Sequence, residues 1–289
     1  MNLVMQTRID HFLTLYFTYP LLEKVLPKRK QFITILMYHS ISETNEDGIY
    51  PYFRTNTSPA IFAGHMRFLS ENNYNVIPLN TIKTKLKSEE NIDNKYVSIT
   101  FDDGYRDFYI HAFPILREYG FSATVFLPTG FIDNREISLK ESKEHLSWNE
   151  IQELDGKGIS FGSHTVNHPQ LKFLNREAIE YEIRQSKETI EDKLNKSVDS
   201  FSYPFAFPEE DRKFTGCLRR MLRKHNYKCG VSTRIGTTSK KDDIYFSRRI
   251  PVNSCDDIPF FEAKLKGGYD WLNNVQLATK LIKSKLLKR

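Results

Sequence analysis

Cysteine is scarce in this chain: Cys217, Cys229 and Cys255 are the only three in 289 residues, and no two form a CxxC pair. That number argues against a disulfide framework and against a cysteine-built zinc module. Three structural thiols in a reducing compartment are expected, one bridge beside a free thiol being the alternative. Long apolar runs are missing too. The most apolar stretch near the start, residues 12–22 (FLTLYFTYPLL), is shorter than the about 20 residues that span a bilayer. Asp10 precedes it, Pro20 and Glu23 break it, and no small-residue cleavage site follows, so it does not read as a signal peptide. A helix packed on the domain, or lying on a membrane surface, is expected there. A dominant charge is absent as well: 42 basic against 36 acidic residues leave +6, spread along the chain. No recognition helix, RNP-like aromatic pair or zinc-finger spacing accompanies it, so no nucleic-acid partner is expected.

What is present is an alternation. Residues 33–38 (ITILMY), 74–79, 96–101 (YVSITF), 122–127, 159–163 (ISFGS), 199–203, 229–232 and 246–250 read as strands. Between them come helical patterns: Phe62, Met66 and Leu69 after a Ser58-Pro59 start, residues 105–118, and a segment opened by a Ser147/Glu150 capping box. A long helix with Ile179, Ile183, Ile190 and Leu194 on one face and another over 209–225 complete the body. Strand–helix alternation implies a mainly parallel sheet, closed as a barrel or left open. We expect one domain over residues 31–268, a helical extension over 1–30, and a basic amphipathic tail over 269–289. The tail sequence VQLATKLIKSKLLKR suits an interfacial helix or a solvated end. The expected location is cytoplasmic, or peripheral on the inner membrane surface through the two termini.

In parallel α/β folds, ligands meet the carboxyl ends of strands. Three strand ends carry unusual chemistry here: Asp102-Asp103-Gly104, His164 to His168, and Tyr203-Pro204-Phe205. Adjacent aspartates on a regular strand point to opposite faces, but a turn at Gly104 lets both enter one pocket. One then binds a metal while the other acts as a base; taken alone, the same triplet is ordinary turn chemistry. His164 and His168 stand four apart, which on a helical turn places both rings on one side. Two imidazoles and a carboxylate leave coordination positions open for water and substrate.

Thr100-Phe101-Asp102-Asp103-Gly104 and Ser163-His164-Thr165-Val166-Asn167-His168-Pro169 resemble the first two motifs of the polysaccharide deacetylases, carbohydrate esterase family four. Leu146-Ser147-Trp148 and Ile35-Leu36-Met37-Tyr38-His39-Ser40-Ile41 resemble further family segments, and the likeness runs over roughly residues 33–265. The resemblance implies a distorted (β/α)7-type barrel and a divalent metal, usually zinc, on Asp103, His164 and His168. It implies that Asp102 is the base that deprotonates the attacking water. Tyr203, Pro204 and Phe205 would line the groove, with the Tyr203 amide meeting the oxyanion. Two departures stand out. The family arginine at the third motif is Ser202 here, with Arg249, or Arg248, as the candidate to orient the base. The usual C-terminal leucine-x-histidine acid is absent, since no histidine follows His225. His39 fits the acid of the branch resembling poly-N-acetylglucosamine deacetylases, which carry a tyrosine-histidine motif near the N-terminus. His65, His111, His145 and His225 read as solvent-facing or structural. Tyr50, Tyr52 and Phe53 either stack on a sugar or pack their own loop. The expected activity is removal of N-acetyl groups from an N-acetylhexosamine-containing glycan or lipid-linked saccharide. An O-deacetylase, a deformylase, or a non-catalytic sugar-binding module on the same fold are the competing readings.

Overall fold

The structure, a computed structural model, describes residues 8–25, 31–88, 95–141 and 143–286. Seven strands carry the domain: β1 (Phe32–Tyr38), β2 (Tyr96–Phe101), β3 (Ala123–Leu127), β4 (Ile159–Ser163), β5 (Ser200–Ser202), β6 (Cys229–Ile235) and β7 (Ser247–Pro251). Each pairs in parallel with the next, and β1 pairs with both β2 and β7, so the sheet closes. Leu36 lies opposite Ile99 on one side and Ile250 on the other. Closure explains why every residue of β1 is buried: it has neighbours on both edges and packing on both faces. Of the two arrangements that the alternation allowed, the protein is the distorted (β/α)7 barrel.

Two elements differ from the sequence pattern. The strand over 74–79 shortens to Asn75–Val76, because Pro78 cannot donate to a ladder and Leu79–Thr81 turns into a 3-10 helix. The helix over 105–118 begins at Phe108 and opens with a wide π turn, Phe108–Ala112, ahead of Pro114. Pro114 lacks the N–H that an α turn would use there, so the wider turn costs less.

Both ends are tied to the barrel. The first helical segment, Ile9–Val25, is pinned by Tyr269 Oη donating to Asp10 Oδ2 (2.6 Å) and Trp271 Nε1 donating to Thr14 Oγ1 (3.1 Å). Behind it lies a buried ion cluster: Arg8 Nη1 and Lys264 Nζ reach the two oxygens of Asp256 at 2.8 and 2.6 Å. Its outer face leaves Ile9, Phe12, Tyr16, Phe17 and Leu21 exposed. The last helix, Trp271–Leu286, buries Leu272 and packs beside the segments that follow β1 and β5. There Gln276 Nε2 donates to Tyr52 Oη (2.8 Å) and Lys280 Nζ to the Phe207 carbonyl (2.9 Å). Among the described residues no helix is long and apolar enough to cross a membrane.

Candidate active site

The site is built where β2, β4, β5 and β7 end. β2 runs out at Asp102, whose N–H still donates to Tyr38 O (3.0 Å) across to β1. The chain then turns through two left-handed residues, Asp103 (φ 70°) and Gly104 (φ 60°). Asp tolerates that region better than most residues, and at Gly104 an added Cβ would meet Leu127 at 2.9 Å. The turn is what sends the neighbouring carboxylates in different directions.

Beyond β4 the backbone is strained in the same way, at Thr165 (φ 70°) and His168 (φ 49°). A β-branched residue rarely adopts that conformation, and such residues gather at functional sites. The loop is held by Glu182, a buried residue of the helix Arg176–Leu194. Its Oε2 accepts the Val166 and Asn167 amides at 2.8 and 2.9 Å, and its Oε1 accepts Asn167 Nδ2 at 2.7 Å. Sequence reasoning passed over Glu182, although an acidic residue on the apolar stripe of Ile179 and Ile183 was a visible signal.

These turns bring Asp103, His164 and His168 together. Nε2 of His164 lies 3.5 Å and Nε2 of His168 3.4 Å from Asp103 Oδ1, and the three ligand atoms fall within 4.8 Å of one another. Ligands each about 2.0–2.2 Å from a tetrahedral zinc would stand roughly 3.3–3.6 Å apart, so the spacing suits such an ion. Nδ1 of His164 faces the Ser202 carbonyl at 2.8 Å. A carbonyl only accepts, so Nδ1 carries a proton and Nε2 is left as the ligand nitrogen. Burial pushes the Asp103 carboxyl up, but His164, His39 and His168 outweigh it and hold it well below the usual range. His168 is pushed down to about 4 by burial and by His164, which keeps its ring neutral.

Asp102 stands beside this group, fully enclosed. Arg249 clamps it with two hydrogen bonds, Nη1 to Oδ1 (2.7 Å) and Nη2 to Oδ2 (2.6 Å), and Ser202 Oγ donates to Oδ1 (3.2 Å). Arg249 is itself buried, and its Nε donates to Ser232 O (3.1 Å). Burial alone would raise the Asp102 carboxyl; the charges of Arg249, His164 and His39 bring it below the ordinary value instead. Of the two arginines considered for this contact, Arg249 makes it, while Arg248 pairs with Asp242. His39, at the end of β1, is half-buried in the same mouth and acts electrostatically on both aspartates.

The Tyr203 assignment is corrected. Its N–H donates to Val231 O (3.1 Å), continuing the ladder between β5 and β6, so that amide is already committed. Pro204 has no N–H, and the chain leaves the sheet at Phe205 (φ 57°), whose amide meets no acceptor among the described residues. The Phe205 ring lies 4.6 Å from that of His168. The other histidines singled out in the sequence are not among the ligands. His65, on the helix Pro59–Glu71, is in the core after all, stacked on Phe261 at 4.0 Å. His225 meets Glu180 at 3.1 Å, and His145 is buried against Tyr105 and Phe131. Of the early aromatics, Tyr52 packs on the core while Phe53 stays exposed.

Comparison with known proteins places the chain in a family. The sequence model of the polysaccharide deacetylase family matches residues 89–229. YxkH of Bacillus subtilis, which carries a provisional polysaccharide deacetylase name, is 31% identical over 221 residues, 76% of this chain and 71% of that protein. The chain belongs to the polysaccharide deacetylase family. A poly-β-1,6-N-acetyl-D-glucosamine N-deacetylase of Staphylococcus aureus is 22% identical over 80% of this chain and 82% of its own length. Among solved structures, the Streptococcus pyogenes deacetylase PplD, in complex with acetate, superposes with a TM-score of 0.69 at 26% identity. That likeness covers 83% of this chain and 99% of PplD.

Proposed function

We propose that this polysaccharide deacetylase family member removes the acetyl group from an N-acetylhexosamine unit of a glycan or lipid-linked saccharide, with a divalent cation on Asp103, His164 and His168. Zinc suits one carboxylate and two imidazoles with open positions. The observation that carries the reading is a second, non-ligand carboxylate, Asp102, held ionised by Arg249 beside the three-ligand group. A site that only bound sugar has no use for it.

A bound divalent cation would supply Lewis-acid polarisation of the water and of the acetyl carbonyl. The protein's own residues do the rest. Oδ1 of Asp102 already accepts two hydrogen bonds, whereas Oδ2 accepts one, so Oδ2 keeps a lone pair for the water's proton. Water oxygen bonds to the acetyl carbon, and the Phe205 amide is the free donor for the oxygen that gains charge. The carbon–nitrogen bond then breaks as His39 donates a proton to the departing nitrogen, giving acetate and an amine. An unprotonated amide nitrogen leaves poorly, so an acid opposite the base is needed. The test is acetate release from N-acetylated, O-acetylated and N-formylated hexosamine oligomers, alongside metal analysis. Release from N-acetyl substrates, lost on chelation and restored by zinc, is expected; turnover of only the ester or formyl substrates would replace the reading.

We also propose that the termini rest on an anionic lipid surface, with the protein peripheral on the inner face of the membrane. What supports this is the face of Ile9, Phe12, Tyr16, Phe17 and Leu21, left in water beside exposed Lys24, and the exposed Val275, Leu281 and Ile282 of the last helix. Flotation with phosphatidylglycerol vesicles should fail for the triple variant Phe12→Ser, Tyr16→Ser, Phe17→Ser; equal flotation would remove this face from consideration.

A further inference from the structure

The barrel has a second end. Where the strands start, the short helix Ile82–Lys87 stoppers it, with Ile82 and Leu86 buried among Ile33 of β1 and Cys229 and Val231 of β6. The Asp103–His164–His168 group stands at the other end, where the strands finish. Beside the stopper opens a cleft of about 310 Å³, between that helix and the segment that runs from Arg223 into β6. Its size falls at the small end of ligand sites, which run from roughly 300 to 1,000 Å³.

The lining carries charge of one sign. Lys83, Arg223 and Lys228 line the cleft, and no carboxylate does. None of the three side chains has an ion-pair partner among the described residues. Neighbouring cations do: on the helix Arg212–Lys224, Arg219 Nε donates to Asp243 Oδ2 (2.6 Å) and Lys224 pairs with Glu180. Asn80, Thr84 and Asn226 add neutral hydrogen-bond donors. Burial and the charge of Asp199 push the Cys229 thiol up to about 12, so the floor of the cleft adds no thiolate. A second cleft, about 160 Å³, shares Lys83 with the first and adds Lys87 and Lys240. The carboxylate that lines it, Asp242, is already taken: it pairs with Arg248 (3.1 Å) and accepts the Ser239 amide and hydroxyl at 2.9 and 2.8 Å.

Like charges gathered round a concave surface repel one another, and an anion placed between them turns that repulsion into attraction. One cation is enough to pair a carboxylate. Three cations flanked by amide and hydroxyl donors match a phosphate group, which carries about −1.5 to −2 and several strong acceptor oxygens. We propose that this cleft binds the phosphate group of a phosphorylated ligand, apart from the catalytic site. Lys83 and Lys228 meet it as point charges, and Arg223 as a planar fork. The rest of the ligand extends past Lys83 toward Lys87 and Lys240. A phospholipid headgroup and a free phosphorylated compound present the same group, and the test tells them apart. The inference does not depend on the reaction at the other end of the barrel.

The full chain, with and without zinc, would be titrated with pyrophosphate in a calorimeter, so that an anion at the metal is told from one in this cleft. Wild type would be compared with Lys83→Gln, Lys228→Gln and Lys213→Gln, the last an exposed cation outside the cleft that serves as the charge control. Lys83 and Lys228 are exposed and unpaired among the described residues, so Tm should hold in both variants. Kd should rise about 5–10-fold in each cleft variant, the size expected for losing one charge-assisted contact at an open site, and less than about twofold in Lys213→Gln. Equal Kd in wild type and both cleft variants, or an equal rise in Lys213→Gln, overturns the proposal. Flotation with phosphatidylglycerol vesicles then names the source. A double variant, Lys83→Gln with Lys228→Gln, that floats less than Lys213→Gln assigns the cleft to a phospholipid headgroup; equal flotation beside weakened pyrophosphate binding assigns it to a free phosphorylated compound.

Discussion

Asp102 with Arg249 and Asp256 with Lys264 are the same chemistry in two places: a carboxylate and a cation, each at most 3% exposed. The two differ in what ties the carboxylate down and in what it faces. Asp256 Oδ1 takes Arg8, and Oδ2 takes Lys264 and the Asn253 amide. Asp256 also sits between elements that must be joined: the first helical segment, the helix Ile258–Leu265 and, through its carbonyl, His65. Asp102 accepts three hydrogen bonds as well, but from one cation and a hydroxyl, and its side is open to the Asp103–His164–His168 group. Removing buried charges from water is expensive, and apolar replacements of whole pairs are often no worse. The closed network therefore reads as attachment and the open one as reactivity, and each prediction below separates those two roles.

The largest effect is expected at Asp102. Asp102→Asn keeps the shape and, through its amide oxygen, one of the two Arg249 bonds but removes the base, so kcat per folded molecule should fall by about 10²–10⁴-fold. Metal content should stay near wild type, while Tm should fall because buried Arg249 loses its counter-charge. If the metal is lost as well, Asp102 is a ligand and the division of labour between the two aspartates is wrong.

The mirror experiment is at Lys264. Lys264→Met leaves Asp256 with Arg8 alone in the interior, which should cost about 3–5 kcal/mol of stability by urea titration. Burial pushes the Lys264 amine down to about 8, against the pull of Asp256, so this cation is already held at some expense. The kcat per folded molecule should be unchanged. A comparable loss of kcat in the folded fraction would mean that the rear cluster shapes the mouth, and the contrast would dissolve.

His65 tests the attachment cluster through pH. Its Nε2 donates to Asp256 O (2.9 Å), its Nδ1 faces Tyr38 Oη (3.2 Å), and burial pushes its pKa down to about 4 from about 6.5. A depressed histidine favours the folded state when neutral. Its contribution is therefore full above about pH 6.5 and lost as pH falls through about 4, some 3 kcal/mol in all. His65→Gln should flatten that acid limb in unfolding titrations at pH 7, 5.5 and 4.5. An unaltered slope would place the acid sensitivity elsewhere.

The contrast also bears on what the chain revealed before its structure was known. The strand ends Asp102-Asp103-Gly104 and His164 to His168 were legible because turn residues and ligand spacing are local. β2 begins and ends where its β-branched run does. Closure was legible only through the family resemblance, since nothing in residues 33–38 marks a strand paired on both edges. The Arg249–Asp102 clamp depends on that closure, so the sequence could offer Arg249 only as one of two candidates. Tyr203 was misassigned because the ladder runs one residue further than the motif suggests, and the amide freed at Phe205 follows from a backbone turn. The C-terminal helix read as a loose amphipathic tail. Its attachment through Gln276 and Lys280 joins residues 224 and 73 positions apart, which no local pattern encodes.

Ser202 gives the smallest and most discriminating effect. It stands where the family resemblance led us to expect an arginine, and Arg249 supplies the guanidinium from β7 instead. The Ser202 hydroxyl joins the two, donating to Asp102 Oδ1 (3.2 Å) and accepting from Arg249 Nη2 (3.0 Å). If the open network acts by fixing the base, Ser202→Ala should loosen the clamp without breaking it. Stability should drop by about 0.5–1.5 kcal/mol, the net worth of a hydrogen bond, and kcat should fall a few-fold while KM holds. Arg249→Lys, which keeps the charge but loses the two-pronged contact, should fall further in kcat than Ser202→Ala. If Ser202→Ala lowers stability alone, this cluster too is attachment, and the fixing of Asp102 by its neighbours has no bearing on the reaction.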